Sequence, residues 1–178
     1  MIRSARIAAL AAVLLLAGAA RADAQIGIAA GPTVAIGSLG DITDLGYHVQ
    51  LSAGLSVPLF PIALRIDGAW NQFPETGTDG GLRVLSGSAN AVFSIPSVGL
   101  TPYVIGGLGA YNSRWAEEDE PGHEHGGEGS TTNLGVNVGV GVRLGLPGLS
   151  AFAEARLHNL FNEGDATRFI PISLGLRF

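Results

Sequence analysis

Cysteine and lysine are both absent from the 178 residues, so the ten basic side chains are all arginine. Without cysteine there is no disulfide framework, no thiolate metal site and no lipid-bearing cysteine of the lipoprotein kind. Long apolar runs are missing too: beyond the N-terminus no stretch approaches the roughly 18 uninterrupted apolar residues of a membrane helix. Charge is sparse, at 14 % of residues, and a formal balance of −5 leaves no basic footprint for nucleic acid. No glycine-rich phosphate loop stands between a strand and a helix, although the chain holds 27 glycines. What is abundant is apolar residues, 47 % of the chain. High hydrophobicity without a helical span leaves two classes: a water-soluble β protein, or a barrel that crosses a membrane.

The first residues follow different rules. Arg3 and Arg6 make a positive start, Ile7 to Ala17 form a short apolar core, and Ala22-Asp23-Ala24 precedes Gln25 as an A-x-A cleavage site. Residues 1–24 are therefore expected to be a signal peptide, with a cut after Ala20 as the alternative, and residues 25–178 the single mature domain. Removing the leader takes away three Arg and one Asp, which makes the mature chain more acidic.

After Gln25 the dominant period is two. Leu134, Val136, Val138, Val140, Val142 and Leu144 alternate with Gly135, Asn137, Gly139, Gly141 and Arg143, so one strand face is aliphatic and the other small or polar. The same pattern runs through 46–57 and 168–178. Eight such runs can be counted: 26–36, 46–57, 62–72, 82–95, 101–112, 132–145, 149–160 and 168–178. The connections 58–61, 96–100 and 146–148 are short and rich in Pro, Gly and Ser; those at 37–45, 73–81, 113–131 and 161–167 are longer and polar. An even strand number with short turns at one end and long loops at the other predicts an all-β fold, an eight-stranded antiparallel up-and-down transmembrane β-barrel.

Charge and aromatics bear on which face is outside. Arg65, Asp67, Arg143, Glu154, Arg156 and Arg177 all lie opposite the aliphatic face. In a membrane barrel that places them in the lumen, where they can pair. Tyr47, Trp70 and Tyr111 are expected on the aliphatic face near the long loops, with Phe93, Tyr103 and Phe178 near the short turns. Together they would make the two aromatic girdles of an outer-membrane barrel.

The segment Pro102-Tyr103-Val104-Ile105-Gly106-Gly107-Leu108-Gly109, the run Glu154-Ala155-Arg156-Leu157-His158 and the closing strand Ile170 to Phe178 resemble the OmpA/OmpX-like outer membrane protein β-barrel superfamily. The resemblance covers residues 26–178. It implies a bacterial outer-membrane location, with short turns periplasmic and long loops extracellular. It also implies recognition of the C-terminal Phe178 strand by the barrel-assembly machinery, and contact with outer-membrane lipid and lipopolysaccharide. The chain stops at the eighth strand, so the peptidoglycan-binding domain of OmpA-type proteins is not expected.

Three groups could carry chemistry. The inward ion pairs Arg65–Asp67 and Glu154–Arg156, with Arg143 and Arg177 on strands flanking Glu154, suit either a plugged barrel or a narrow ion path. His158 faces inward near the outer rim, and Ser86 and Ser88 also face the lumen. Some eight-stranded barrels modify lipid A acyl chains with a His and a Ser or carboxylate, although no motif joins these residues. His123 and His125 sit among Glu117, Glu118, Asp119, Glu120, Glu124 and Glu128, either as weak candidates for a divalent cation or in a solvated acidic loop. The leading expectation is a monomeric, non-enzymatic barrel without cofactor, structural or adhesin-like through its outer loops. A narrow channel and a lipid A acyl-modifying enzyme are the alternatives.

Overall fold

The computed structural model describes residues 23–43, 45–56, 62–75, 77, 80–116, 130–162 and 166–178. The expected leader falls almost wholly outside them, as do the turn 58–61 and both His123 and His125. Eight strands follow in order: β1 Asp23–Ile36, β2 Gly46–Ser56, β3 Ile62–Pro74, β4 Gly81–Ser94, β5 Leu100–Ala116, β6 Ser130–Leu146, β7 Leu149–Leu160 and β8 Thr167–Arg177. Each pairs antiparallel with its chain neighbours, and β1 pairs with β8, which closes the barrel. The ladder with β2 already begins at Asp23, opposite Ser56.

Alternation places the side chains. Ile66, Leu108, Leu134, Val138, Val140 and Leu174 are each more than 60 % exposed on the outer wall, while Arg65, Asp67, Glu154 and Arg156 are buried inside. A water-soluble barrel has the opposite arrangement. An aliphatic exterior over charged contents is a protein built for lipid. Tyr47 and Trp70 stand outward at the long-loop end, with their rings edge-to-face at 5.5 Å. Phe93 and Phe178 are exposed at the other end. At the β6–β7 hairpin, Pro147 and Gly148 form a two-residue turn between the paired Leu146 and Leu149. Gly148 takes φ 78°, the left-handed value that favours glycine at such a position.

Two strands run longer than their apolar pattern. β5 and β6 each have 17 residues, and Ser113↔Thr131 and Arg114↔Ser130 extend their ladder past the expected limits of 112 and 132. Polar residues at a strand end read as loop when the reader assumes a strand stops with its lipid band. Here the hairpin continues beyond that band, where polar side chains are at home.

Candidate functional site

The barrel's contents form three layers. Nearest the short turns, Val92, Tyr103 and Ile105 pack with Ala63. Nearest the long loops, Leu39, Phe73, Leu82, Val84, Tyr111, Leu160 and Phe169 form a second apolar layer, with Leu39 supplied by the short 3-10 turn Gly37–Leu39. Polar side chains fill the space between. An eight-stranded barrel has an interior just wide enough for side chains to fill, and here they fill it.

At the centre is a ring of two arginines and two carboxylates. Arg65 donates Nη1 and Nη2 to Glu154 Oε2 and Oε1 at 2.9 and 2.7 Å, and Nε to Asp67 Oδ2 at 3.1 Å. Arg156 donates Nη1 to Asp67 Oδ2 at 2.8 Å, and its Nε lies 2.9 Å from Glu154 Oε1. Tyr103 Oη and Asn90 Nδ2 donate to Glu154 and Asp67, both at 2.8 Å. Arg156 Nη2 also donates to Gln50, and Asn137 supports Asn90 at 2.9 Å. The four charged side chains are at most 2 % exposed, and their charges cancel. Burying unpaired charges would be prohibitive; a ring in which each arginine lies against both carboxylates is the arrangement that makes burial tolerable.

Several expectations need correction. Tyr103 and Tyr111 are not girdle residues: they are 5 % and 0 % exposed and point inward, to Glu154 and to His158 Nδ1 at 2.9 Å. Arg143 and Arg177 flank Glu154 in sequence order but take no part in the ring. Arg177 instead lies 5.5 Å over the Phe152 ring, and the strand-mate of Glu154 on β8 is Ser173. Glu154 reaches its bidentate partner across the lumen, from β7 to β3. The inward glycines of β6 make room for particular neighbours. A Cβ at Gly141 would overlap the Tyr103 ring, and one at Gly139 would overlap Arg156.

The proposed catalytic set does not assemble. Ser88 accepts from Asn90 at 3.1 Å and Ser86 donates to the Ala69 carbonyl at 3.4 Å; His158 bonds Tyr111 and stacks on Phe169 at 4.9 Å. A serine–histidine contact does exist elsewhere. His48 Nε2 is 2.8 Å from Ser173 Oγ, and its Nδ1 is 3.0 Å from Thr33 Oγ1. Sequence reasoning missed this pair, although alternation alone puts both residues inward. Ser173 and His48 are 1 % and 2 % exposed, beyond the reach of a substrate carbonyl.

A closed, up-and-down barrel of eight strands with an aliphatic exterior defines an outer-membrane-type β-barrel. Residues 7–178 match the family described as "outer membrane protein beta-barrel domain", and the chain belongs to that family, whose place is the bacterial outer membrane. No curated protein sequence matches the chain. Among solved structures it is similar to Neisserial surface protein A, at 19 % identity and TM-score 0.67 over 86 % of this chain and 95 % of that one. It is also similar to Ail, the attachment invasion locus protein of Yersinia pestis, in complex with the heparin analogue sucrose octasulfate. Identity there is 16 % and the TM-score 0.59, over 88 % and 99 % of the two chains. The outer membrane enzyme PagL gives 17 % identity and TM-score 0.53, over 86 % and 98 %. At such identities these likenesses establish the fold alone.

Proposed function

We propose that the protein is a non-enzymatic, non-conducting barrel that anchors a set of surface loops in the outer membrane for structural or adhesive contacts. One observation carries this reading: the lumen holds two apolar layers with a charge-balanced ring of ion pairs between them. Ions have no wet path through such an interior, and the buried Ser173–His48 pair has no substrate access. What remains available is the rim. The long connections lie extracellular and the short turns periplasmic, and the longest of those connections carries the most acidic stretch of the sequence, residues 117–128. The protein works as a monomer among lipid and lipopolysaccharide, after export by its leader and assembly through the Phe178 strand. Relatives of the same fold are named for a surface role and for attachment and invasion, which favours the adhesive reading.

The test has three arms. Planar-bilayer recordings should show no conductance, lipid A mass spectra with and without the protein should be identical, and protease added to whole cells should cut only the long connections. Conductance would establish the channel alternative. Loss of an acyl chain from lipid A would establish the enzyme alternative, which the PagL likeness keeps in view.

A further inference from the structure

Above the upper apolar layer, the long-loop end of the barrel opens into a vestibule of about 500 Å³. Its floor is Leu39 and Leu82, its wall on β5 is Trp115, and Thr131, Asn133, Asn162 and Thr167 supply polar groups around it. We infer that this vestibule is a binding site for a neutral carbohydrate. The inference rests on the outward-facing rim of the proposed function and names the class of ligand that rim would take.

Three features point to a sugar. First, the volume falls in the range of about 300–1,000 Å³ typical of small-molecule sites. Second, the lining joins one large aromatic surface to amides and hydroxyls, and a pyranose has the same duality: an apolar C–H face, and hydroxyl edges that both donate and accept. Asn and Thr can answer a hydroxyl in either sense. Third, one acceptor is waiting. Asn162 Nδ2 donates to Thr167 Oγ1 at 2.6 Å, which fixes the amide, while Asn162 Oδ1 is buried with no hydrogen-bond partner among the described residues. A buried carbonyl left without a donor is costly, and a ligand hydroxyl would satisfy it.

The lining also says what is excluded. Among the described residues, no Arg, Asp or Glu lines the vestibule. A sulfated or uronic sugar would find no counter-charge among these described residues and would lose hydration of its charge on entering. The inward placement follows from alternation: Ser113 and Trp115 continue the inward face of Tyr111, and Thr131 and Asn133 continue that of Gly135 and Asn137.

Trp115 is itself the probe. The chain has two tryptophans, and the other, Trp70, stands on the outer wall. Trp70→Phe would leave Trp115 as the sole reporter. The protein should be held in an amine-oxide detergent, since alkyl glucosides and maltosides carry the ligand class as headgroups. Titration with maltose, lactose and N,N′-diacetylchitobiose should give a saturable change in emission with at least one of them. Asn162→Ala and Asn133→Ala in the same background should weaken it about tenfold, the loss expected for a hydrogen bond. Sucrose octasulfate should give no saturable response. Calorimetry on Trp115→Ala, with heat-modifiable gel mobility to verify folding, should show binding lost while the barrel is intact.

The sugar could come from the cell's own lipopolysaccharide or from another cell. Titration with the purified neutral polysaccharide of the producing cell, beside immobilised host glycans, would identify the source, and binding to either supports the inference. Flat emission with every neutral sugar to roughly 10 mM, or saturation by the sulfated sugar, would overturn it. Failure here with a closed barrel and cleavable outer loops would leave the proposed function standing. Conductance or lipid A cleavage beside sugar binding would overturn that function and not this site.

Discussion

Glu154 is the side chain on which the central ring depends most, and its substitution gives the sharpest test of a sealed lumen. It accepts both Nη groups of Arg65 and the Tyr103 hydroxyl, and lies 2.9 Å from Arg156 Nε. Glu154→Gln keeps the volume and removes one negative charge, so the ring changes from two positive and two negative groups to two against one. The new amide also turns NH2 donors toward a guanidinium or the Tyr103 hydroxyl, which replaces a bidentate pair by at most one good bond. Removing one partner of a buried pair costs about 3–5 kcal/mol. Arg65→Met errs in the other direction, leaving Asp67 and Glu154 to share Arg156. The double variant restores neutrality through Arg156 and Asp67, which remain bonded at 2.8 Å in the native arrangement. Its destabilisation should therefore be well below the sum of the singles, and no greater than either one. The assay is urea unfolding in lipid vesicles, followed by tryptophan fluorescence and by gel mobility before and after heating. Two results would refute the reasoning. One is Glu154→Gln within about 0.5 kcal/mol of wild type, as for an unremarkable surface change. The other is strict additivity in the double variant, which would mean charges screened by water.

Val138, 61 % exposed in the middle of β6, should meet lipid; Val138→Arg should cost about 2–4 kcal/mol in vesicles, and no loss would put that wall in water. Gly141→Ala would drive a methyl into Tyr103 and should cost about 1–3 kcal/mol, whereas Gly145→Ala, on the same strand with nothing within 4 Å, should be close to neutral. Equal unfolding midpoints for those two variants would contradict the close fit between β6 and Tyr103. Deleting Phe178 should leave unassembled, protease-sensitive chain in the periplasm; normal recovery in the outer-membrane fraction would count against the role given to the terminal strand.

The sequence made the strand count and the wall's polarity legible because both depend on one local rule, the alternation of faces. That rule failed where a strand is apolar on both faces. In β5, Tyr103, Ile105 and Tyr111 are inside while Val104 and Leu108 are outside, and nothing in the strand itself says which set meets lipid. The neighbouring strand held the missing signal, since Gly141 leaves the space that Tyr103 occupies. The partners of Glu154 were hidden for a different reason. Arg143 and Arg177 are near it by strand order, but a narrow barrel lets long side chains meet across its diameter, so Arg65 on β3 serves instead. The vestibule was missed because Ser113, Trp115 and Thr131 read as loop; that stretch is polar because it stands clear of the membrane, still in strand conformation.

The seam between the first and last strands has a consequence for how the molecule can be made. Ile26 and Phe178 exchange two main-chain hydrogen bonds, 2.8 and 2.9 Å, and Gly27 faces Arg177. Every other strand pairing joins neighbours in sequence and could form as the chain emerges; this one joins residues about as far apart as the polypeptide allows. Long-range pairing of that kind is slow to form. Until the final residues arrive, β1 and β8 both carry a full row of unpaired amides and carbonyls, a surface that will take any strand offered, including one from another molecule. The barrel is therefore at its most vulnerable moments before it is complete, and the two bonds between Ile26 and Phe178 belong to the last edge to close.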